Sequence, residues 1–71
     1  MNSQTTTVTQ LYHFAVIDDI TPERATVVSV HRLADRAASA ARRRGGFAQA
    51  VESDKLLAKG DRIWRVNVTT I

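Results

Sequence analysis

The sequence predicts an α+β domain in which one helix packs on a small, mainly antiparallel sheet, in the order β-α-β-β(β). Three observations carry this prediction. Val8 to Ile17 is dense in β-branched and aromatic residues, and residues 29–44 repeat small apolar residues at helical spacing before Gly45-Gly46. The C-terminal stretch alternates apolar and polar residues through Trp64, Val66 and Val68, just after a Gly60-Asp61 pair.

The elements follow in order. Residues 1–7 are polar and Thr-rich, and read as a disordered tail ahead of a single domain spanning residues 8–71. In the stretch from Val8 to Ile17, Tyr12, Phe14 and Val16 alternate with Leu11, His13, Ala15 and Ile17, so both faces are largely apolar. That composition suits a strand covered on both sides, in the middle of the sheet. Asp18 to Glu23 reads as a turn, because Asp favours local backbone hydrogen bonds and Pro22 pushes Thr21 away from helical angles.

Ser29 is the expected N-cap of the helix, with Val30, Leu33, Ala34, Ala37 and Ala40 or Ala41 forming its apolar stripe. Arg42-Arg43-Arg44 complements the negative end of the helix dipole, and Gly45-Gly46 supplies the left-handed stop. A stripe made mostly of alanine buries little area, so the sheet must supply the bulk of the core. Phe47 to Glu52 reads as a second strand. Leu56 to Lys59 and Arg62 to Thr70 read as a hairpin around Gly60-Asp61, with Leu57 facing Trp64 and Trp64 anchoring the core.

A chain of 71 residues gives at most one domain, and its core supplies only about 3–5 kcal/mol of stability. With no cysteine there is no disulfide, and two histidines among scattered acids make no ligand set at zinc-site spacing. No basic and apolar leader opens the chain and no apolar run reaches membrane-span length, so the expected location is the cytoplasm of a bacterial host.

Net charge is +3 with a pI near 10.2, and its distribution is uneven. Asp18, Asp19 and Glu23 are the only charges in residues 1–23, whereas all ten basic residues lie in residues 24–71. A basic body attracts acidic partners, nucleic acid or acidic protein, and excludes a DNA mimic, which needs a carboxylate-rich face.

No nucleophile elbow, phosphate loop or metal motif is present, and no acid or histidine has a partner at catalytic spacing. No catalytic, cofactor-binding or metal-ligating residue is expected. His13 reads most simply as a strand-surface imidazole, His31 as a solvated position in the first helical turn, and Asp18-Asp19 as a turn. The arginines are the better candidates. Arg32, Arg36 and Arg43 fall on one side of the expected helix, and Arg42 and Arg44 extend the patch around its end; the simplest alternative is a solvated polar face. Arginine offers a planar fork to phosphate or carboxylate. A second candidate is the sheet face away from the helix, expected to present His13 and Arg65 among Leu11, Ile17 and Asn67, either to a partner or to a second copy of the chain.

An alanine-lined helix from Ser29 to Ala41, a strand, and a hairpin ending Gly60-Asp61-Arg62-Ile63-Trp64 together resemble the small anti-CRISPR proteins of phages and mobile elements. The type I-F inhibitors, with a β-α-β-β core and a Gly-x-Arg-x-Trp-like hairpin, are the most similar in pattern, over Leu11 to Val66. The resemblance implies a protein that binds a guide-RNA surveillance complex, partly through basic side chains placed where target DNA would lie. No contact residue of that family matches one for one, and the Arg-rich helix end departs from the pattern. The expected function is therefore a non-catalytic binding module that docks on a nucleic-acid-handling protein complex and inhibits it. Direct nucleic-acid binding through the same arginines, and a homo-oligomeric phage accessory or structural role, are the alternatives.

Overall fold

A computed structural model describes residues 8–71; the expected tail, residues 1–7, lies outside the described residues. The α+β class holds: one helix packs on a five-stranded antiparallel sheet. The strands are β1 (Tyr12–Asp18), β2 (Arg24–His31), β3 (Gln49–Leu57), β4 (Arg62–Trp64) and β5 (Val68–Thr70), and the helix α1 (Ala34–Arg44) lies between β2 and β3. Chain order is thus β-β-α-β-β-β, with one more strand before the helix than the sequence reading placed there. Sheet order is β4-β2-β1-β3-β5, so the doubly apolar β1 is central, as its composition predicts.

The added strand is β2. Residues Thr26-Val27-Val28-Ser29-Val30 are mostly β-branched and fit a pleated surface better than a helix. Ser29, Val30 and His31 therefore belong to β2, and α1 starts after Leu33, whose carbonyl accepts the amide of Ala37 at 3.2 Å. The helix end is where the sequence puts it. Gly45, at φ +72°, donates its amide to Ala41 at 3.0 Å, and Gly46 follows at φ +62°.

Two apolar layers flank the sheet. Val16, Ala37, Ala41 and Ala50 are buried between sheet and helix, with Phe14 and Val28 beside them. On the other side Ala15, Ile17, Ala25, Val27, Val51 and Leu57 form a second buried cluster, completed by Ile63 and Val68. The second cluster holds the larger side chains, in keeping with an alanine-lined helix that adds little bulk.

Connectivity explains why that second face is closed. Edge strands β4 and β5 lie four strand spacings apart, about 19 Å in a flat sheet. Yet only the 3-10 turn Arg65–Asn67 joins them, and the four residue steps from Trp64 to Val68 span at most about 14 Å even when extended. The sheet must curl until its two edges approach. Register irregularities at Val16/Ile17 against β2 and at Tyr12/Phe14 against β3 bend the central strand accordingly.

The expected C-terminal hairpin does not form. Leu57 pairs with Tyr12 of β1, and Trp64 pairs with Arg24 of β2. The Gly60-Asp61 turn exists, with Gly60 at φ +97°, but it fastens to β2: Gly60 donates to Val27 at 2.8 Å, and Val27 donates to Asp61 at 2.8 Å. Leu56 and Leu57, expected in a separate strand, are the end of a single β3. Trp64 is 49% exposed and is not the core anchor; Ile17, Val16, Val27 and Val51 are.

Candidate functional site

The eight arginines among the ten basic residues sort into two groups by what they touch. Three arginines from three later elements converge on the turn between β1 and β2. Arg44, at the end of α1, donates to the Asp18 carboxylate at 2.7 Å. Arg62, in β4, donates to the Asp19 carbonyl at 2.9 Å, its carboxylate at 3.1 Å and the Thr26 hydroxyl at 2.8 Å. Arg65, in the 3-10 turn, donates to the carbonyls of Thr21 at 2.9 Å and Pro22 at 3.3 Å. Arg24 is held as well, donating to the carbonyls of Ile63 at 3.2 Å and Arg62 at 3.1 Å.

The turn itself explains this demand. Asp19 adopts φ +52°, and the residues around it leave carbonyl groups without strand partners. Guanidinium donors satisfy those acceptors, while Asp18 and Asp19 neutralise two of the three cations. The Arg44 guanidinium and the Asp19 amide at 2.9 Å hold the Asp18 carboxyl below the usual carboxylate range. Folding therefore brings the acidic N-terminal part and part of the basic remainder together.

The second group is Arg32, Arg36, Arg42 and Arg43, all exposed, with no acid within ion-pair distance among the described residues. Arg43 lies on the outer side of α1, away from the buried Ala37 and Ala41, as does the exposed Asp35, and Arg36 and Arg42 stand on the two flanks. Arg42 contacts only the Ser39 hydroxyl, at 3.3 Å. Arg32 precedes the helix, so it shares no helix face with Arg36; its guanidinium sits 6.0 Å from the Tyr12 ring.

His31 borders this ridge. It lies in β2, half-buried, and shares a 2.8 Å hydrogen bond between Nε2 and the Ser29 hydroxyl. Burial, then the Arg43 cation, hold it below the usual imidazole range, so it is neutral at pH 7.

The expected open sheet face is absent, because the curl closes over it: Ile17 is 1% exposed and Arg65 is committed to the turn. His13 stands alone at the sheet end, where its Nδ1–H donates to the Ser53 carbonyl at 3.0 Å, in the irregular stretch of β3. The structure thus gathers Arg32, Arg36, Arg42 and Arg43 at or beside α1, and separates Arg44, Arg65 and His13 from them.

One exposed surface escaped the sequence reading. Leu56, Trp64 and Val66 are solvent-facing, and Val66 is 91% exposed. Strand alternation puts Trp64 and Val66 in one apolar row with Val68, facing Leu57; the 3-10 turn Arg65–Asn67 breaks that row.

No helix of the described residues is long and apolar enough to cross a membrane, and no group of three or more His, Asp or Glu side chains among them is arranged to hold a metal ion. No protein-family model, curated protein or solved structure matches the chain.

Proposed function

We propose that this protein is a non-catalytic binding module that docks its arginine ridge on an anionic surface of a nucleic-acid-handling protein complex and inhibits that complex by occupying it. The reading rests on one observation. Arg32, Arg36, Arg42 and Arg43 are exposed at or beside α1 without an ion-pair partner among the described residues, while Arg24, Arg44, Arg62 and Arg65 are engaged elsewhere. Cations that do no structural work are available to recognise phosphate or carboxylate. Inhibition of a guide-RNA complex, as the resemblance to small anti-CRISPR proteins implies, is one form this docking would take.

Direct nucleic-acid binding is the second reading, favoured by the same side chains because guanidinium forks suit phosphate as well as carboxylate. A single experiment separates the two. Immobilised protein is presented with duplex DNA, single-stranded DNA and a bacterial surveillance complex, beside a variant with all four arginines changed to Glu. The leading reading expects capture of the complex, negligible capture of free nucleic acid, and loss of both capture and inhibition in the variant. Capture of free DNA at physiological salt would favour the second reading, and capture of the complex by the variant would remove the ridge from either.

A further inference from the structure

The turn after α1 carries an aromatic side chain that the fold does not bury. Phe47 is 87% exposed, the most exposed of the four Phe, Tyr and Trp residues; Tyr12 and Phe14 are half-buried in the sheet, and the Trp64 ring is covered on one face by Arg24. Gly45 and Gly46, at φ +72° and +62°, turn the chain sharply at the helix end, and the Ala48 amide donates to the Gly45 carbonyl at 3.3 Å. Phe47 therefore stands at the tip of a short, hydrogen-bonded turn. The helix-facing core beside it is largely alanine and short of apolar bulk, yet this ring stays in water.

Cations lead up to the tip. Arg42, Arg43 and Arg44 precede it in the chain, and all three are exposed. Phe47 shares a shallow depression with Asp18, Asp19, Ile20 and Gln49, and Arg44 is bonded to Asp18, so ring and guanidinium stand at the same end of the molecule. Arg44 uses only its Nε on Asp18; its two terminal nitrogens have no hydrogen-bond partner among the described residues. The carboxylates in the depression are each paired, Asp18 with Arg44 and Asp19 with Arg62, so they do not repel an anion as bare acids would. An exposed ring beside uncommitted guanidinium groups matches single-stranded nucleic acid, whose phosphates meet the cations while an unstacked base lies on the ring. A duplex offers the phosphates but keeps its bases stacked, and an acidic protein surface matches the cations alone.

We infer that Phe47 and the arginines at the end of α1 form a site for one unpaired nucleotide of a single-stranded nucleic acid, with the base on the ring and its phosphate on Arg43 and Arg44. This rests on the reading of the ridge as an anion-docking surface, and names the anion as a strand that a nucleic-acid-handling complex leaves exposed. One stacked base and a few phosphates hold a free strand weakly at physiological salt. With four phosphate contacts, lowering salt from about 150 mM to about 20 mM should strengthen single-strand binding roughly 300-fold and bring it into measurable range.

Fluorescence anisotropy of a short labelled single strand at about 20 mM salt, beside a duplex of the same sequence, tests the site. Phe47→Ala should keep the native circular dichroism spectrum, weaken single-strand binding about 5- to 150-fold and leave duplex binding unchanged. Phe47→Leu, apolar but without an aromatic face, should behave like Phe47→Ala, and Phe47→Trp should bind at least as tightly as the parent. Absence of single-strand binding at low salt overturns the inference, as does parent-like single-strand binding by Phe47→Ala. Parent-like binding by Phe47→Leu overturns it too, and marks Phe47 as an apolar anchor for a protein pocket. Failure of the ridge reads out in a different variant: capture of the complex that survives change of all four ridge arginines to Glu sinks the docking reading, whereas the Phe47 comparison alone decides the nucleotide site.

Discussion

Arg24 stacks over the Trp64 ring at 4.1 Å while its guanidinium donates to the carbonyls of Ile63 and Arg62, so this cross-strand pair pins the short edge strand β4 to β2. The tryptophan serves the edge of the sheet, not its core, and its truncation is correspondingly mild. Trp64→Ala should cost about 1.5–2.5 kcal/mol, roughly half the loss for a fully buried aromatic. Ile17→Ala, at the centre of the second core, should cost about 2–5 kcal/mol and more than Trp64→Ala. Urea denaturation of the two variants checks the order; a larger loss at Trp64 would return it to the core.

The arginines divide in the same way. Arg65→Ala removes two hydrogen bonds to turn carbonyls, and Arg62→Ala removes three contacts to Asp19 and Thr26. Each should lower stability by about 0.5–1.5 kcal/mol, because several charge-assisted bonds to an exposed turn are lost together and water replaces them only in part. Arg36→Ala and Arg43→Ala should stay within about 0.5 kcal/mol of the parent. Equal effects in both groups, measured by thermal melting, would dissolve the distinction on which the ridge is identified.

Local signals made the class, the central β1, the Asp18–Glu23 turn and the helix stop legible in the sequence. The extra strand was obscured by a bulge. Inward residues of β2 run Ala25, Val27, then Val30, a spacing of two and then three, because the register slips opposite Val16/Ile17. Val30, Leu33, Ala34 and Ala37 then imitate a helical stripe, although Val30 packs in the sheet core and only the alanines lie in α1. The same mechanism hid the continuity of β3, whose register shifts between Tyr12 and Phe14 and breaks its alternation. Of the candidate site, Arg36, Arg42 and Arg43 were legible because they follow the helix period. The structural duty of Arg44 and Arg65 was not, since it depends on partners 26 and 44 positions away.

Stability should fall with pH in two separable steps. The His31 pKa is lowered in the folded state, so as pH falls below about 6.5 the unfolded chain takes up this proton first. Stability then declines until pH passes the folded pKa and levels off. Asp18, also lowered in the fold, contributes stability above its ordinary value of 3.8 that is lost as pH falls through its folded pKa. His31→Gln should flatten the first step alone, and Arg44→Ala should weaken the second alone. Denaturation midpoints between pH 8 and pH 2 measure both; a first step that survives His31→Gln would assign it to another group.

The salt dependence of anion binding supplies the sharpest count of what the ridge contributes. If Arg32, Arg36, Arg42 and Arg43 each neutralise one phosphate of duplex DNA, the logarithm of affinity should fall with the logarithm of salt at a slope of about −3.6, about 0.9 for each of four contacts. Each single Arg→Ala change in the ridge should make the slope shallower by about 0.9, irrespective of DNA sequence. Arg62→Ala and Arg65→Ala, whose guanidinium groups are held at the β1–β2 turn, should leave it unchanged while lowering stability. An acidic protein surface gives a different pattern. Duplex DNA then binds negligibly, and the ridge variants slow association with the captured complex and make its rate less sensitive to salt, because steering is what they remove. A salt slope that survives loss of all four ridge arginines would show that Lys55, Lys59 or the turn arginines carry the anion, and the helix would lose its assigned role.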